Sequence, residues 1–523
     1  MFRKNIEHLQ QDLFGLFHGL PQNLMERATG SEECKFYEHI FCNIDEHIFS
    51  VLYSNEPSRP NSAVNAMAAA LIWKEKRHWT YDELFNNVQF NLLTRLAFGL
   101  NDIETMPFCP ATLFNFQGRL VSYYIKTGND LFELVFDNLT TQQLKSLGLR
   151  TDIQRTDSFL AESNICEYSR IRLLVEVLVR FHRVLSESDK ERFGEYFSAY
   201  IKESSGKYVY KLKKSDLPHE LQKLAELYQL AVKKFKSRYK DTEIYQALKR
   251  VYKEHFTVAH RKVHIKPTEE LTSDSLQSPD DSEATYRQKN GDHHRGRSIN
   301  IIETAHRSNK VNLITDVDVN PNNKDDSTVL NGRLDRAKEK TPDLNEMHSD
   351  GGYGSCDNDK KYAKLSITPV QTAVRGRDPA VRFDIKHIHE NDYIVICPQQ
   401  QQQSKPTRKR HKACFDLTQC TICEYRNGCP AQIGKKYRTY YFNHDDYLRL
   451  KRINMIYKIP KERRKLRANV EATVHEFKCR TKNGKLKVRG TLKTRLFAYS
   501  TAIAINFGRI FRYETKLMAA EMA

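Results

Sequence analysis

The chain has no apolar run long enough to cross a bilayer. Its longest weakly polar stretch, Leu496 to Phe507, is interrupted by Ser500 and Asn506 and falls short of the roughly 20 residues that a spanning helix needs. Met1 to Gln11 is charged from Arg3 onward and lacks the apolar stretch of a signal peptide, so secretion is not expected. No internal repeat is visible. Acid is also in short supply, with 65 Asp and Glu against 84 Lys and Arg, a formal net charge of +19. These features predict a cytoplasmic protein without a membrane partner, and the charge favours a polyanionic one such as nucleic acid. Of the 11 cysteines, seven are scattered singly while Cys414, Cys420, Cys423 and Cys429 stand close together. Scatter plus one cluster predicts reduced thiols and a single metal site rather than a disulfide framework.

At 523 residues the chain predicts about three domains, or one core carrying large insertions. Residues 1 to about 140 read as helical. Val64, Met67, Ala68, Leu71 and Ile72 recur at helix spacing, and Thr80 with Glu83 makes a capping box that opens a helix carrying Leu84, Phe85 and Val88. Ile153, Phe159 and Ile165 around Asp157 predict a strand. A helical stripe follows (Ile171, Leu174, Leu178, Phe181, Leu185), then another (Leu224, Tyr228, Val232, Phe235, Tyr239). The expected layout is a helical N-terminal domain over 1–140 and an α/β catalytic domain over 141–523. Two insertions interrupt the latter, a helical one over 186–300 and a basic, cysteine-rich one over 376–455. Within the first, 266–298 holds almost no apolar residues and is expected to be a solvated or disordered loop. VNLITDVDV (Val311 to Val319) predicts a strand, Leu330 to Lys338 a helix, and Gly351-Gly352 after Asp350 a sharp turn at a strand end.

Three acids, Asp157, Asp350 and Glu471, lie far apart in sequence, as carboxylates that converge on divalent metal usually do. Helix geometry is most explicit around Glu471. Arg467, Glu471 and Lys478 share one helix face, beside the stripe Leu466, Val470, Val474 and Phe477. Such a helix docks on a core while presenting a carboxylate and two cations at a cleft; its bland alternative is a surface helix with i,i+4 ion pairs. Asp157 and Asp350 also suit simple turn roles. Asp152, Asp316, Asp318 and Asp326 are further carboxylates that composition does not eliminate.

The runs RTDSFLAESNI (Arg155 to Ile165), VDVNPNNKDDS (Val317 to Ser327), SDGGYGS (Ser349 to Ser355) and RANVEATVHEFK (Arg467 to Lys478) come in this order. Tyr53-Ser54 and Arg59-Pro60 precede them, and Arg489-Gly490 follows. In this ordered set the chain resembles bacterial insertion-sequence transposases of the DDE superfamily, in the group with a helical N-terminal domain and a cysteine-bearing insertion. The resemblance implies a ribonuclease H-like mixed-sheet core. Its first strand carries Asp157, its fourth ends at Asp350, and a later helix carries Glu471. It implies two Mg²⁺ ions per site, Mn²⁺ substituting, held by these three acids as catalytic residues. The activity implied is strand cleavage at terminal inverted repeats and strand transfer into target DNA by a homo-oligomer assembled on DNA, which places the protein at the nucleoid. Related transposases often carry a tyrosine three residues before the arginine; here that position is Arg464. Asp326-Ser327 matches a family acid before a helix, with no catalytic role assigned.

The pattern C-x5-C-x2-C-x5-C predicts one structural Zn²⁺ on Cys414, Cys420, Cys423 and Cys429, with His411 or His444 as alternative ligands. Arg467, Lys478, Arg489 and Lys493 are candidate DNA contacts, joined by Lys485, Lys487 and Arg495 along the tail and by Arg77, His78 and Arg95 on the N-terminal helices. The main alternative is a catalytically silent, transposase-derived DNA-binding regulator. A metal-dependent nuclease without joining activity is a third reading.

Overall fold

Thr80 and Glu83 close the expected capping box, each side chain bonding the other's backbone, at the head of a helix that buries Leu84 and Val88. In a computed structural model, which describes residues 1–9, 19–54, 56, 59–100, 106–376, 380–389 and 392–521, this helix belongs to an N-terminal group of seven. They are α1 (Gln22–Thr29), α2 (Glu32–His39), α3 (Val64–Arg77), α4 (Tyr81–Phe90), α5 (Leu92–Ala97), α6 (Pro110–Thr127) and α7 (Leu131–Ser146). The expected stripe on α3 is buried, but so are Ala66, Ala69 and Ala70 on its other sides. Small residues all round let neighbours approach from every direction, so α3 is a central helix rather than an amphipathic surface one.

After β1 (Ile153–Glu162) come six helices, α8 (Arg170–Val184), α9 (Glu187–Ile201), α10 (Ser205–Tyr210), α11 (Leu217–Lys234), α12 (Lys236–Tyr239) and α13 (Glu243–His255). A hairpin of β2 (Phe256–Ala259) and β3 (Lys262–Ile265) closes this unit. It has its own apolar core, which includes Ile171, Leu174, Leu178 and Phe181 of α8 and Leu185 just after it. By packing the unit therefore begins at α8, upstream of the expected boundary at 186.

The chain then returns through β4 (Thr285–Lys289), β5 (Asp292–Thr304) and β6 (Ile314–Pro321), helix α14 (Asp326–Lys340), β7 (Glu346–Ser349), α15 (Cys356–Lys364) and β8 (Thr368–Gln371). These complete a six-stranded mixed sheet with β1. The order is β4-β5-β1-β7-β8, with β6 alongside β5. β5 runs antiparallel to both β1 and β6, β7 runs parallel to β1, and β8 parallel to β7. The expectation of a solvated loop over 266–298 is thus corrected, since the segment contains β4 and the first half of β5. Apolar content is a poor guide here because the strand is held on both flanks by ladder bonds. Its Arg297, 1% exposed, makes two hydrogen bonds to Asp281, at 2.7 and 2.9 Å, and that guanidinium helps hold the Asp281 carboxyl down at about 2 despite burial.

Next comes a small all-strand unit. A three-stranded sheet contains β9 (Asp384–His389), β10 (Asp392–Ile396) and β11 (Gln401–Gln403), and a four-stranded one contains β12 (Lys405–Pro406), β13 (His411–Asp416), β14 (Gln432–Ile433) and β15 (Tyr437–Phe442). The short helix α16 (Leu417–Thr421) lies between β13 and β14. Helices α17 (His444–Lys458), α18 (Lys461–Ala468), α19 (Val470–Lys478) and α20 (Thr491–Glu521) finish the chain. α20 packs on α3, α7 and β6. One apolar core consequently runs from the N-terminal helices through α20 to a face of the sheet. Among the described residues no helix is long and apolar enough to cross a membrane.

His255, at the end of α13, is 3% exposed and neither ring nitrogen has a hydrogen-bond partner. Burial, reinforced by Arg170 and Lys266, brings its pKa down to about 4. Between pH 6.5 and 4 the unfolded chain binds a proton that the folded one refuses. This stabilisation is complete above pH 6.5 and lost as pH falls towards 4. Urea unfolding of the helical unit is expected to cost about 2 kcal/mol less at pH 5 than at pH 7, with the difference reduced in His255→Leu. An equal pH dependence in the variant contradicts the assignment.

Candidate active site

Parallel pairing of β1 with β7 matches Ile153 to Glu346 and Arg155 to His348. Two residues beyond that last pair stand Asp157 in β1 and Asp350 just past the end of β7, so the register carries the two carboxylates to the same level of neighbouring strands, which lie about 4.8 Å apart. Asp157 is 9% exposed. Its Oδ1 accepts the Ser158 amide at 2.9 Å. Burial pushes its pKa up and the nearby Asp350 adds to the rise, while Arg467 opposes it.

Asp350 caps the 3₁₀ turn Gly351–Tyr353, its Oδ1 accepting the Gly352 amide at 2.8 Å. The glycines serve close approach here rather than unusual backbone angles. A Cβ on Gly351 would stand 2.9 Å from the Ala373 carbonyl oxygen, and one on Gly352 would stand 3.0 Å from Asp350 Oδ1.

Glu471 is in the first turn of α19, with its side chain 64% exposed. The helix is seated by Val470, Val474 and Phe477, all buried, and Phe477 meets Phe159 of β1 at a ring separation of 5.7 Å. Polar anchors fix it as well. Glu303 of β5, fully buried, accepts from Arg155 Nε at 2.6 Å, Thr473 Oγ1 at 2.7 Å and Arg509 Nη1 at 2.8 Å. Arg155 also donates to the Leu466 carbonyl at 3.0 Å.

The three acids converge on one cation. Arg467 places Nη2 2.8 Å from Asp157 Oδ2 and 3.9 Å from Asp350 Oδ2, and Nη1 2.7 Å from Glu471 Oε1. Elements distant in sequence thus deliver three carboxylates around a single guanidinium. Hard oxygen donors of this kind suit Mg²⁺ or Mn²⁺, although among the described residues no three acidic, histidine or cysteine side chains stand in a ready metal-holding geometry. Removing the guanidinium as Arg467→Met leaves the carboxylates to repel one another. The variant is expected to melt below the parent without metal and to gain more from added Mn²⁺, by several degrees. Equal metal-induced shifts in both proteins would show that the acids do not share a cation site.

Other predicted residues are placed differently. Lys478, the last residue of α19, and Lys493 of α20 are exposed. Arg489 donates to the Asn164 carbonyl at 2.6 Å and lies 3.4 Å from Asp280. Lys485 and Lys487 donate to the carbonyls of Ile165 and His78. Arg495 is buried on Asp130 and Glu133 at 2.8 and 2.9 Å. Arg95 is fully buried and donates to the Val88 carbonyl. Those two arginines are therefore removed as DNA contacts, because the desolvated charge of each is spent on internal acceptors. Arg77 lies over Trp73 and pairs with Glu32 and Glu33, and His78 is the left-handed cap of α3. Arg464, at the family's tyrosine position, donates to the Ile456 carbonyl and so ties α18 to α17. Asp326, one residue inside α14, accepts from Ser158 Oγ at 2.8 Å. Asp316 and Asp318 face Arg333, and Asp152 pairs with Arg150.

Of the clustered cysteines, Cys420, Cys423 and Cys429 line one small cavity, together with Cys397, which the spacing argument missed. Cys414 is not on it. In β13 the buried Ala413 and Phe415 point inward, and strand alternation turns Cys414 to the other face. His411 stacks with Phe442, and His444 Nδ1 is 3.1 Å from the Tyr393 hydroxyl; neither lines the cavity.

Residues 395–511 match a family described as "Transposase DDE domain". The match includes Cys397, Arg467 and Glu471 and does not extend back to Asp157 or Asp350. It bears out the resemblance to DDE-type transposases. No curated protein and no solved structure matches the chain.

Proposed function

We propose that this chain, which carries a transposase DDE domain match over 395–511, is an active transposase that cleaves DNA at terminal inverted repeats and joins the freed end to target DNA. The observation that carries this reading is the convergence of Asp157, Asp350 and Glu471 on the single cation Arg467. A ribonuclease H-like core is supported by the sheet. Leaving aside the short β4, Asp157 sits on its first strand, Asp350 follows its fourth, and Glu471 lies on a later helix packed against β1.

The chemistry of the donor set, three carboxylates, suits divalent ions, which when bound would supply activation of water or a DNA 3′-hydroxyl and stabilisation of the leaving oxygen. The protein's own residues set the stage. Asp157 is positioned by the Ser158 amide and Asp350 by the Gly352 amide. Glu471, on the exposed side, completes the set from a separate element. Arg467 neutralises the acids, and its guanidinium suits a phosphate oxygen. Because no covalent protein intermediate is required, the buried Tyr353, which bonds Asn300, serves packing.

Support for duplex DNA as partner comes from the charge of +19. It comes also from a cavity of about 690 Å³ between the N-terminal helices and the segment before α20, lined by Lys74, Trp79, Lys482, Lys485 and Lys487. Lys478 and Lys493 add exposed charge, and assembly of several copies on DNA belongs to this reading. Binding to a duplex bearing the element's ends is expected to weaken steeply, by about 10³-fold or more, between about 50 and about 200 mM salt. Mg²⁺ is then expected to yield nicked and joined products that EDTA suppresses. Binding without cleavage in either Mg²⁺ or Mn²⁺ would favour the regulator, and cleavage without joining a simple nuclease.

A further inference from the structure

The cavity in the strand-rich unit has walls that its place in the fold does not explain. Its volume is about 20 Å³, room for one water or one ion. Four of its lining residues are cysteines from three separate stretches: Cys397 just after β10, Cys420 in α16, and Cys423 and Cys429 in the loop before β14. An apolar core with a spare volume of this size is normally filled by a larger side chain; here four thiols share the lining with apolar residues such as Val381, Phe383 and Phe415.

Two further observations concern what the thiols would hold. Gln400 turns back on Cys397, its amide donating to Cys397 Sγ at 3.2 Å and its side-chain Nε2 to Cys420 Sγ at 3.4 Å. N–H groups aimed at sulfur resemble the outer hydrogen bonds that orient metal ligands. Arg438, 8% exposed, also lines the cavity. It donates to the Arg426 carbonyl, its Nε has no hydrogen-bond partner, and no carboxylate pairs with it among the described residues. A buried guanidinium without a counter-charge is costly. Four thiolates around a divalent ion carry two net negative charges and would supply that counter-charge.

We propose that Cys397, Cys420, Cys423 and Cys429 form a four-thiolate structural site for Zn²⁺, with Cys414 outside it. The four sulfurs line the cavity without meeting in a coordination geometry, so binding draws them in to about 2.3 Å from the metal and releases their protons to solvent. The ion would tie β10, α16 and the loop before β14 together, in a unit whose strands are too short to bury a large core. The outer spacing becomes C-x22-C-x2-C-x5-C, with Cys420-x2-Cys423 as the central pair.

The test is zinc content of the full chain, measured by elemental analysis in the parent, Cys397→Ser and Cys414→Ser. The parent and Cys414→Ser are expected to carry about one zinc per chain, and Cys397→Ser to lose it. Should Cys397→Ser fail to fold, Co²⁺ titration of the parent and Cys414→Ser decides the matter. Both are expected to give the same intense thiolate-to-cobalt charge-transfer absorption. Loss of zinc or of that absorption in Cys414→Ser overturns the assignment, as does full zinc retention in a folded Cys397→Ser. A parent that binds neither metal overturns it as well.

Discussion

Asp157→Asn is expected to lower strand cleavage by at least about 10³-fold, equivalent to about 4 kcal/mol of transition-state stabilisation, while the fold and DNA affinity persist. The carboxylate is one of three converging on Arg467, and an amide cannot replace its charge toward a divalent ion. The stability side of the substitution is equally specific. Burial raises the Asp157 pKa despite the neighbouring guanidinium, so the ionised form is held at a cost to the fold. Asparagine keeps an oxygen for the Ser158 amide and removes that cost. The variant should unfold no more easily than the parent, as expected where an acid is retained for chemistry. Cleavage assays set beside thermal unfolding check both halves, and a variant that is inactive because it is unfolded contradicts the account.

Glu303→Ala is expected to be the most damaging single change to stability away from the acids, costing about 3 to 5 kcal/mol. Glu303 is fully buried and its two oxygens satisfy Arg155, Thr473 and Arg509. Truncation leaves Arg155 in the interior with no carboxylate and Arg509 with only the longer contact to Glu476 at 3.4 Å, and such a loss exceeds the net worth of the ion pairs themselves. The effect should reach the site as well. Arg155 holds the carbonyl of Leu466, immediately before Arg467, so a loosened Arg155 loosens the approach of α18 and α19 to β1. Glu303→Gln retains an acceptor and should lose less. Denaturant unfolding of the three proteins measures this, and a cost below about 1 kcal/mol for alanine contradicts the role.

The parts of the fold that could be read from the sequence are those whose signal is local. The stripe on α8 is apolar at every helical step and is buried at every one. The capping box at Thr80, the strand around Val317 and the turn after Asp350 are likewise set by a few adjacent residues. β5 was hidden because Asp292 to Asn300 is mostly polar. It is a strand through its partners on both sides, and its buried arginine is matched by an aspartate 16 residues upstream.

The same division runs through the sites. The i,i+4 contact of Arg467 with Glu471 follows from helix geometry, whereas its 2.8 Å contact with Asp157, 310 residues away, does not. Arg95 and Arg495 counted as surface charge in the sequence; Arg95 folds back on the Val88 carbonyl of the preceding helix, and the acceptors of Arg495 are brought in by tertiary packing. Cys414 looked like a ligand because it is close in sequence to the others. Strand alternation turns it away, and the chain path through β11 and β12 brings Cys397 back.

The most direct measurement is cleavage and joining of DNA carrying the element's own ends in Mg²⁺, by the parent and by Glu471→Gln side by side. Glu471 is exposed and outside the buried network, so the variant should fold and bind those ends as the parent does. The account predicts cleaved and joined products from the parent and none from Glu471→Gln. Equal product from both, or none from a parent that binds the ends, would contradict it.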